Sequence, residues 1–243
     1  MRNPANSVKR YLNSTSTLLY SYLISLPLLL LYEVLIFVSQ PDASQVVRIS
    51  VDVWIKSLFA QFGNDVLSIT LIVVALLGIL ILYRERDKLG SLNFSYFFVM
   101  VGEAMIYAYL LALIISQTLE ALLQMVQVSP VESLTTMQQL ALSLGAGLYE
   151  ELFFRVILVS LLIFVFKYLF SKKWMAITAA VLLAAAIFSW VHYIGVMGDP
   201  FTMGSFLFRF LFGLALNGIY VWRGFGMAAW THALYDIMVV AFL

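Results

Sequence analysis

The chain has 243 residues, 63% of them hydrophobic and 11% charged, against roughly 45–50% apolar and about 25% charged residues in a soluble domain. With a mean hydropathy of +0.98, a soluble fold of this size cannot hide the apolar surface, and the chain reads as a polytopic membrane protein. A net charge of +1 leaves no basic face for nucleic acid, and the absence of cysteine removes disulfides, thiolate metal sites and a cysteine nucleophile.

Spanning helices need about 20 mostly apolar residues. On that basis the sequence predicts an all-α bundle of about seven or eight helices. The candidate spans are 15–39, 66–83, 96–118, 138–166, 174–194, 204–222 and 225–243, and an eighth, re-entrant element near 119–130 is open. The basic start (Arg2, Lys9, Arg10) runs into a long apolar stretch and reads as a signal anchor. In 51–62, Val51, Trp54, Ile55, Leu58, Phe59 and Phe62 recur at helical spacing, with Asp52, Lys56 and Gln61 off that stripe. This predicts an amphipathic helix, either lying in the interface or packed on the bundle. The organisation expected is one membrane domain. Residues 1–130 supply N-terminal spans and the interfacial helix 51–62, and residues 131–243 supply a helical core that carries the chemistry.

Orientation follows from the basic residues. With the N-terminus inside, the inner segments hold Arg2, Lys9, Arg10, Arg84, Arg86, Lys88, Lys167, Lys172, Lys173 and Arg223, and the outer ones only Arg48 and Lys56. The outer loops carry Asp42, Asp52, Asp65, Glu132 and Asp199 instead. The expected location is a prokaryotic cytoplasmic membrane, with the N-terminus cytoplasmic.

The charges left inside apolar segments are Glu33, Glu103, Glu150, Glu151, Arg155, His192, Arg209, His232 and Asp236. Each costs from about 2.5 kcal/mol upward at mid-bilayer, so each must pair, face the bundle interior or meet water. Glu151 and Arg155 stand four apart on one helical face and can neutralise each other. Glu150 lies about 100° around that helix with no partner within a turn, as suits a general base. An ion pair of Glu150 with Arg209 is the structural alternative. Glu33 and Glu103 are left without a role, each either pairing with Arg209 or sitting near water. His232 and Asp236 share a face at four-residue spacing, as do Phe188 and His192.

Other intramembrane hydrolases are poorly matched. No serine follows a glycine by two positions, His-Glu-x-x-His is absent, and a Gly-x-Gly-Asp aspartyl half-site is missing. A glutamate-centred site remains.

The residues that carry chemistry stand in the order Glu150-Glu151-x-x-x-Arg155, then Phe188-x-x-x-His192, then His232-x-x-x-Asp236. Over roughly 140–240 this resembles the CPBP family. That family comprises the type II CAAX prenyl proteases (Rce1-like) and the Abi bacteriocin-processing or immunity-type membrane proteases. The resemblance implies an intramembrane endopeptidase. In it, Glu150 and His192 activate water, Glu151 and Arg155 support the site, and His232 with residue 236 holds the oxyanion. Prenyl proteases commonly have asparagine where this chain has Asp236, and an ionised aspartate cannot donate to an oxyanion. No cofactor is implied, zinc on Glu150, His192 and His232 being the alternative. The expected partners are the bilayer and a hydrophobic peptide, prenylated or transmembrane. A non-catalytic immunity-type scaffold binding such a peptide is the second reading, and a proton-coupled transporter the third.

Phe153, Phe154, Phe188, Trp190, Phe208, Phe212, Trp230 and Tyr235 crowd these motifs, lining either a lipophilic cavity or the lipid-facing core. One difficulty is depth. Counted from the inner face at about 1.5 Å per residue, His192 lies ~27 Å up its helix and His232 only ~10 Å up its own. One site therefore requires the turn at Arg223-Gly224-Phe225-Gly226 to lie within the membrane, or the helices to tilt.

Overall fold

The computed structural model describes residues 4–40, 47–61, 66–120, 134–195 and 198–242. Among them the fold is all-α: α1 (Pro4–Thr15), α2 (Leu18–Ser39), α3 (Ser50–Ala60), α4 (Val66–Arg84), α5 (Arg86–Leu89), α6 (Ser95–Glu120), α7 (Thr136–Gly145), α8 (Ser160–Leu169), α9 (Lys173–Val191), α10 (Met203–Arg223) and α11 (Phe225–Phe242). Between α7 and α8 run two π-helical segments, Ala146–Glu150 and Leu152–Val159, so that Thr136–Leu169 forms one long helical rod.

Among the described residues, six helices are long and apolar enough to cross a membrane: α2, α6, the α7–α8 rod, α9, α10 and α11. The expected span 66–83 is α4, whose apolar portion over Thr70–Arg84 is shorter. The proposed eighth element falls mostly on residues 121–133, outside the described residues. The first span starts at Leu18 rather than 15 because the Thr17 hydroxyl caps it, accepting from the Tyr20 amide. The span expected over 174–194 ends at Val191, with His192 in the turn beyond.

The surface is apolar where that of a soluble protein is polar, and several charged and polar groups lie within the mainly apolar interior. Phe37, Leu30, Leu80 and Phe242 point outward, whereas Glu151, Arg155, Arg223, Asn217 and Thr231 are buried. In lipid, outward apolar side chains cost nothing, while charges must find partners inside. Arg223 does so at the end where α1 meets α10. Its Nε lies 2.7 Å from Glu103 Oε1, and its Nη2 donates to Thr15 Oγ1 at 2.9 Å.

α11 is central, packing on α2, α6, α7, α10 and the first π segment. Small residues make this possible. A Cβ on Gly147 would come within 2.5 Å of the Ala229 carbonyl and 2.6 Å of the Ala233 Cβ, so only glycine lets the π segment approach α11 this closely. Gly224 has φ 88, which a side chain would resist.

The turn before α11 is recessed. Tyr220 and Ser160 share a hydrogen bond at 2.8 Å, nine residues before α8 ends at Leu169. Gly226 packs against Ser21 and Ile24 of α2. The inner turn therefore lies short of the α8–α9 turn, level with the start of α2.

α3 spans Ser50–Ala60 rather than 51–62, and it is packed on the bundle, the second of the two expected alternatives. Asp52 is fully buried, while Trp54 and Leu58 are about half exposed. The charged side docks inward: Arg48 and Lys56 each pair with both Glu33 of α2 and Asp52, at 2.7 to 3.1 Å. The Tyr32 hydroxyl also donates to Asp52 at 2.7 Å. The helix is packed on the bundle by these charged residues together with Val51 and Ile55, while Val53, Trp54 and Leu58 turn outward.

Candidate active site

The π segments meet at Glu150 and Glu151. Such segments widen the helical turn and recur at functional sites. Here the two adjacent carboxylates are sent to different neighbours.

Glu151 is fully buried and doubly engaged. Its Oε2 lies 2.8 Å from Arg155 Nε, and its Oε1 accepts a 2.7 Å hydrogen bond from His232 Nδ1. Arg155 is also fully buried, with its guanidinium 4.5 Å above the Phe188 ring centre. The Glu151–Arg155 pair expected from their spacing is present. The histidine contact is not readable from spacing, because it crosses from the rod to α11 at the Gly147 approach.

Glu150 is only partly buried and, among the described residues, makes no hydrogen bond or ion pair. It faces a cavity of about 140 Å³ that it lines together with His192, Asp199 and the α3 residues Ser50, Val51 and Trp54. The alternative of a Glu150–Arg209 pair is not realised. Arg209 pairs with Asp199 and donates to the Tyr193 hydroxyl at 3.0 Å. Glu33 and Glu103 likewise find Arg48, Lys56 and Arg223 rather than Arg209.

His192 Nδ1 donates to the Phe188 carbonyl at 2.7 Å, which leaves the lone pair of the neutral ring on Nε2. Burial holds this imidazole below its ordinary value, so the neutral form persists at pH 7; Glu150 pulls the other way. His232 Nε2 lies 3.5 Å from Asp236 Oδ2, an ion-pair distance and too long for a hydrogen bond. Glu151 takes the orienting place instead. It aligns His232.

Aromatic rings bind the cluster together. Phe188 meets the His192 ring at 4.9 Å and the His232 ring at 6.4 Å, and Phe212 meets His232 at 5.0 Å. Phe154, Phe188 and Phe212 are buried, whereas Trp190 is exposed toward lipid. The site thus brings all six expected residues, Glu150, Glu151, Arg155, His192, His232 and Asp236, into one neighbourhood. Sequence reading missed Ser50, Trp54 and Asp199. None carries a motif, and only the folding of α3 and the 198–200 loop over the cavity reveals them.

Among the described residues, no group of three or more His, Asp or Glu side chains is placed to hold a metal ion. His232 Nδ1 is held by Glu151, and its Nε2 lies 3.5 Å from Asp236 Oδ2. No step is routed through a metal.

Residues 132–238 match the model of the Rce1-like family, type II CAAX prenyl endopeptidases. The matched stretch is Rce1-like. The match contains the rod with Glu150 and Glu151, all of α9 and α10, and α11 through Asp236, and it bears out the resemblance to the CPBP family. It supports an intramembrane protease of CAAX type in a multi-pass integral membrane protein. α3, which walls the cavity, lies outside the Rce1-like stretch. No curated protein and no solved structure matches the chain.

Proposed function

We propose that the protein is an intramembrane endopeptidase that hydrolyses a peptide bond of a membrane-anchored or lipophilic protein or peptide with a glutamate-activated water. One observation carries this reading. Of two adjacent glutamates, Glu151 is neutralised by Arg155 and His232, while Glu150 is unpaired and faces the cavity shared with His192.

In this reading Glu150 takes the proton of a water held between it and the lone pair of His192 Nε2, and the hydroxide attacks the scissile carbonyl. His232 meets the developing oxyanion. Glu151 is its positioning residue through Nδ1, and Arg155 keeps Glu151 charged and in place. An imidazolium at 232, flanked by Glu151 and Asp236, would present an N–H from Nε2; that is the service Asp236 can give in place of a donating asparagine. Glu150, now protonated, then passes its proton to the leaving amine, which balances the step. An oxyanion donor of this kind contributes about 3–4 kcal/mol. No resident metal takes part. The protein works in a prokaryotic cytoplasmic membrane with its N-terminus on the cytoplasmic side.

The test is a comparison of cells and of purified protein carrying the native chain or Glu150→Ala. Fragments of membrane proteins are expected in the first and intact precursors in the second. Equal cleavage by both would remove Glu150 from the chemistry. No difference at all, with biological activity retained, would favour the immunity-type scaffold.

A further inference from the structure

The fold sorts the charges by end, and the catalytic cavity lies at only one of them. At the cavity end stand α3, the start of α7, the end of α9 and the start of α10. At the far end stand α1, α5, the α8–α9 turn and the recessed α10–α11 turn.

The described cations at the far end are Lys9, Arg10, Arg84, Arg86, Lys88, Lys167, Lys172, Lys173 and Arg223. Only Lys88 and Arg223 of these are ion-paired among the described residues, with Glu85 and Glu103. The cavity end holds just Arg48, Lys56 and Arg209, and every one is paired with a carboxylate from Glu33, Asp52 or Asp199. Free Lys and Arg stay on the cytoplasmic side of a bilayer. The cavity end is thus the end without free cations.

We infer that the cavity opens on the non-cytoplasmic face, and that its substrates are membrane-anchored or exported hydrophobic peptides whose scissile bond lies at that outer boundary. A lipidated tail presented in the cytoplasm would meet the wrong end of the bundle. The inference rests on the hydrolase reading for the word substrate, but its geometry does not.

The cavity wall agrees with access from that boundary. α3 covers the cavity with Ser50, Val51 and Trp54 while turning Trp54 and Leu58 outward at the membrane edge. The cavity, about 140 Å³, is below the ~300 Å³ of sites for drug-sized ligands. It suits one side chain of an extended peptide with its attacking water, rather than a long hydrocarbon chain.

The chain has no cysteine, so single cysteines report sidedness directly. Thr136→Cys and Pro200→Cys are exposed at the cavity end, and Ser171→Cys and Ser91→Cys at the far end. A membrane-impermeant maleimide should label the first two in intact cells and the second two only after permeabilisation. The reverse pattern would overturn the inference and leave the hydrolase reading standing.

The second arm maps cleavage sites of proteins that accumulate uncut in Glu150→Ala cells. Sites at the outer ends of spans are expected, and sites on cytoplasmic tails would overturn the substrate assignment. If no Glu150-dependent cleavage exists, the hydrolase reading fails and the substrate assignment with it, whatever the labelling shows.

Discussion

Glu151 reaches across from the π-helical rod to α11, where its Oε1 accepts from His232 Nδ1 at 2.7 Å. This one contact fixes which carboxylate is structural. Glu151 has two partners and no exposure, and Glu150, one residue away, has a cavity.

The two glutamates should therefore fail differently. Glu150→Gln is expected to lower kcat by about 10²–10⁴-fold, the range of a lost general base, with little change in thermal unfolding in detergent. Glu151→Ala leaves Arg155 buried and uncompensated, at a cost of about 3–5 kcal/mol, and should lower the unfolding temperature as well as activity. Equal thermal stability of the two variants would contradict the division of roles.

Gly147 should tolerate no side chain. Gly147→Ala puts a Cβ 2.5 Å from the Ala229 carbonyl oxygen, a backbone atom that cannot swing aside. Overpacking of this kind costs about 1–3 kcal/mol, and separating the rod from α11 lengthens the Glu151–His232 bond. Activity and thermal stability are expected to fall together. A variant with native activity would show that this close approach is dispensable.

Asp236→Asn should keep the site assembled, since Glu151 rather than Asp236 aligns His232. An asparagine there can also donate to an oxyanion. The expected result is kcat/KM within about tenfold of the native chain, a difference of about 1.4 kcal/mol in barrier. A loss as deep as that of Glu150→Gln would mean that the carboxylate at 236 is required.

The pH profile should carry an acid limb from His192. Burial lowers its imidazole below the ordinary 6.5, against the pull of nearby Glu150. The neutral ring that the reaction needs thus survives to lower pH than that of a free histidine. Activity is expected to hold from neutrality through 6.5 and to fall only at lower pH, as Nε2 takes a proton. The linkage has the same sign. An unfolded chain binds this proton more readily than the folded one, so stability contributed by neutral His192 is present above 6.5 and lost below it. An acid limb unchanged in the residual activity of His192→Gln would assign it elsewhere.

A metal chelator such as 1,10-phenanthroline should leave the rate unchanged, because in the proposed reaction Glu150 and His192 alone activate the water. Loss of activity restored by added zinc would overturn the water mechanism as proposed.

The sequence by itself determined the setting and the cast. A chain with 11% charge belongs in lipid, and each ionisable group within a span stands out there because its burial is costly. The i,i+4 rule made Glu151–Arg155 legible, because both ends of that pair lie on one helix. Pairings between helices were beyond its reach. Arg209 was open to three glutamates and went to Asp199; α3 turned its charges inward to Glu33; His232 took Glu151 at hydrogen-bond distance in preference to its own helical neighbour Asp236. Those outcomes depend on how closely backbones approach at Gly147 and where the Gly224 turn lies in depth. Periodicity assigns residues to faces, but the distance between faces is decided only when the helices pack.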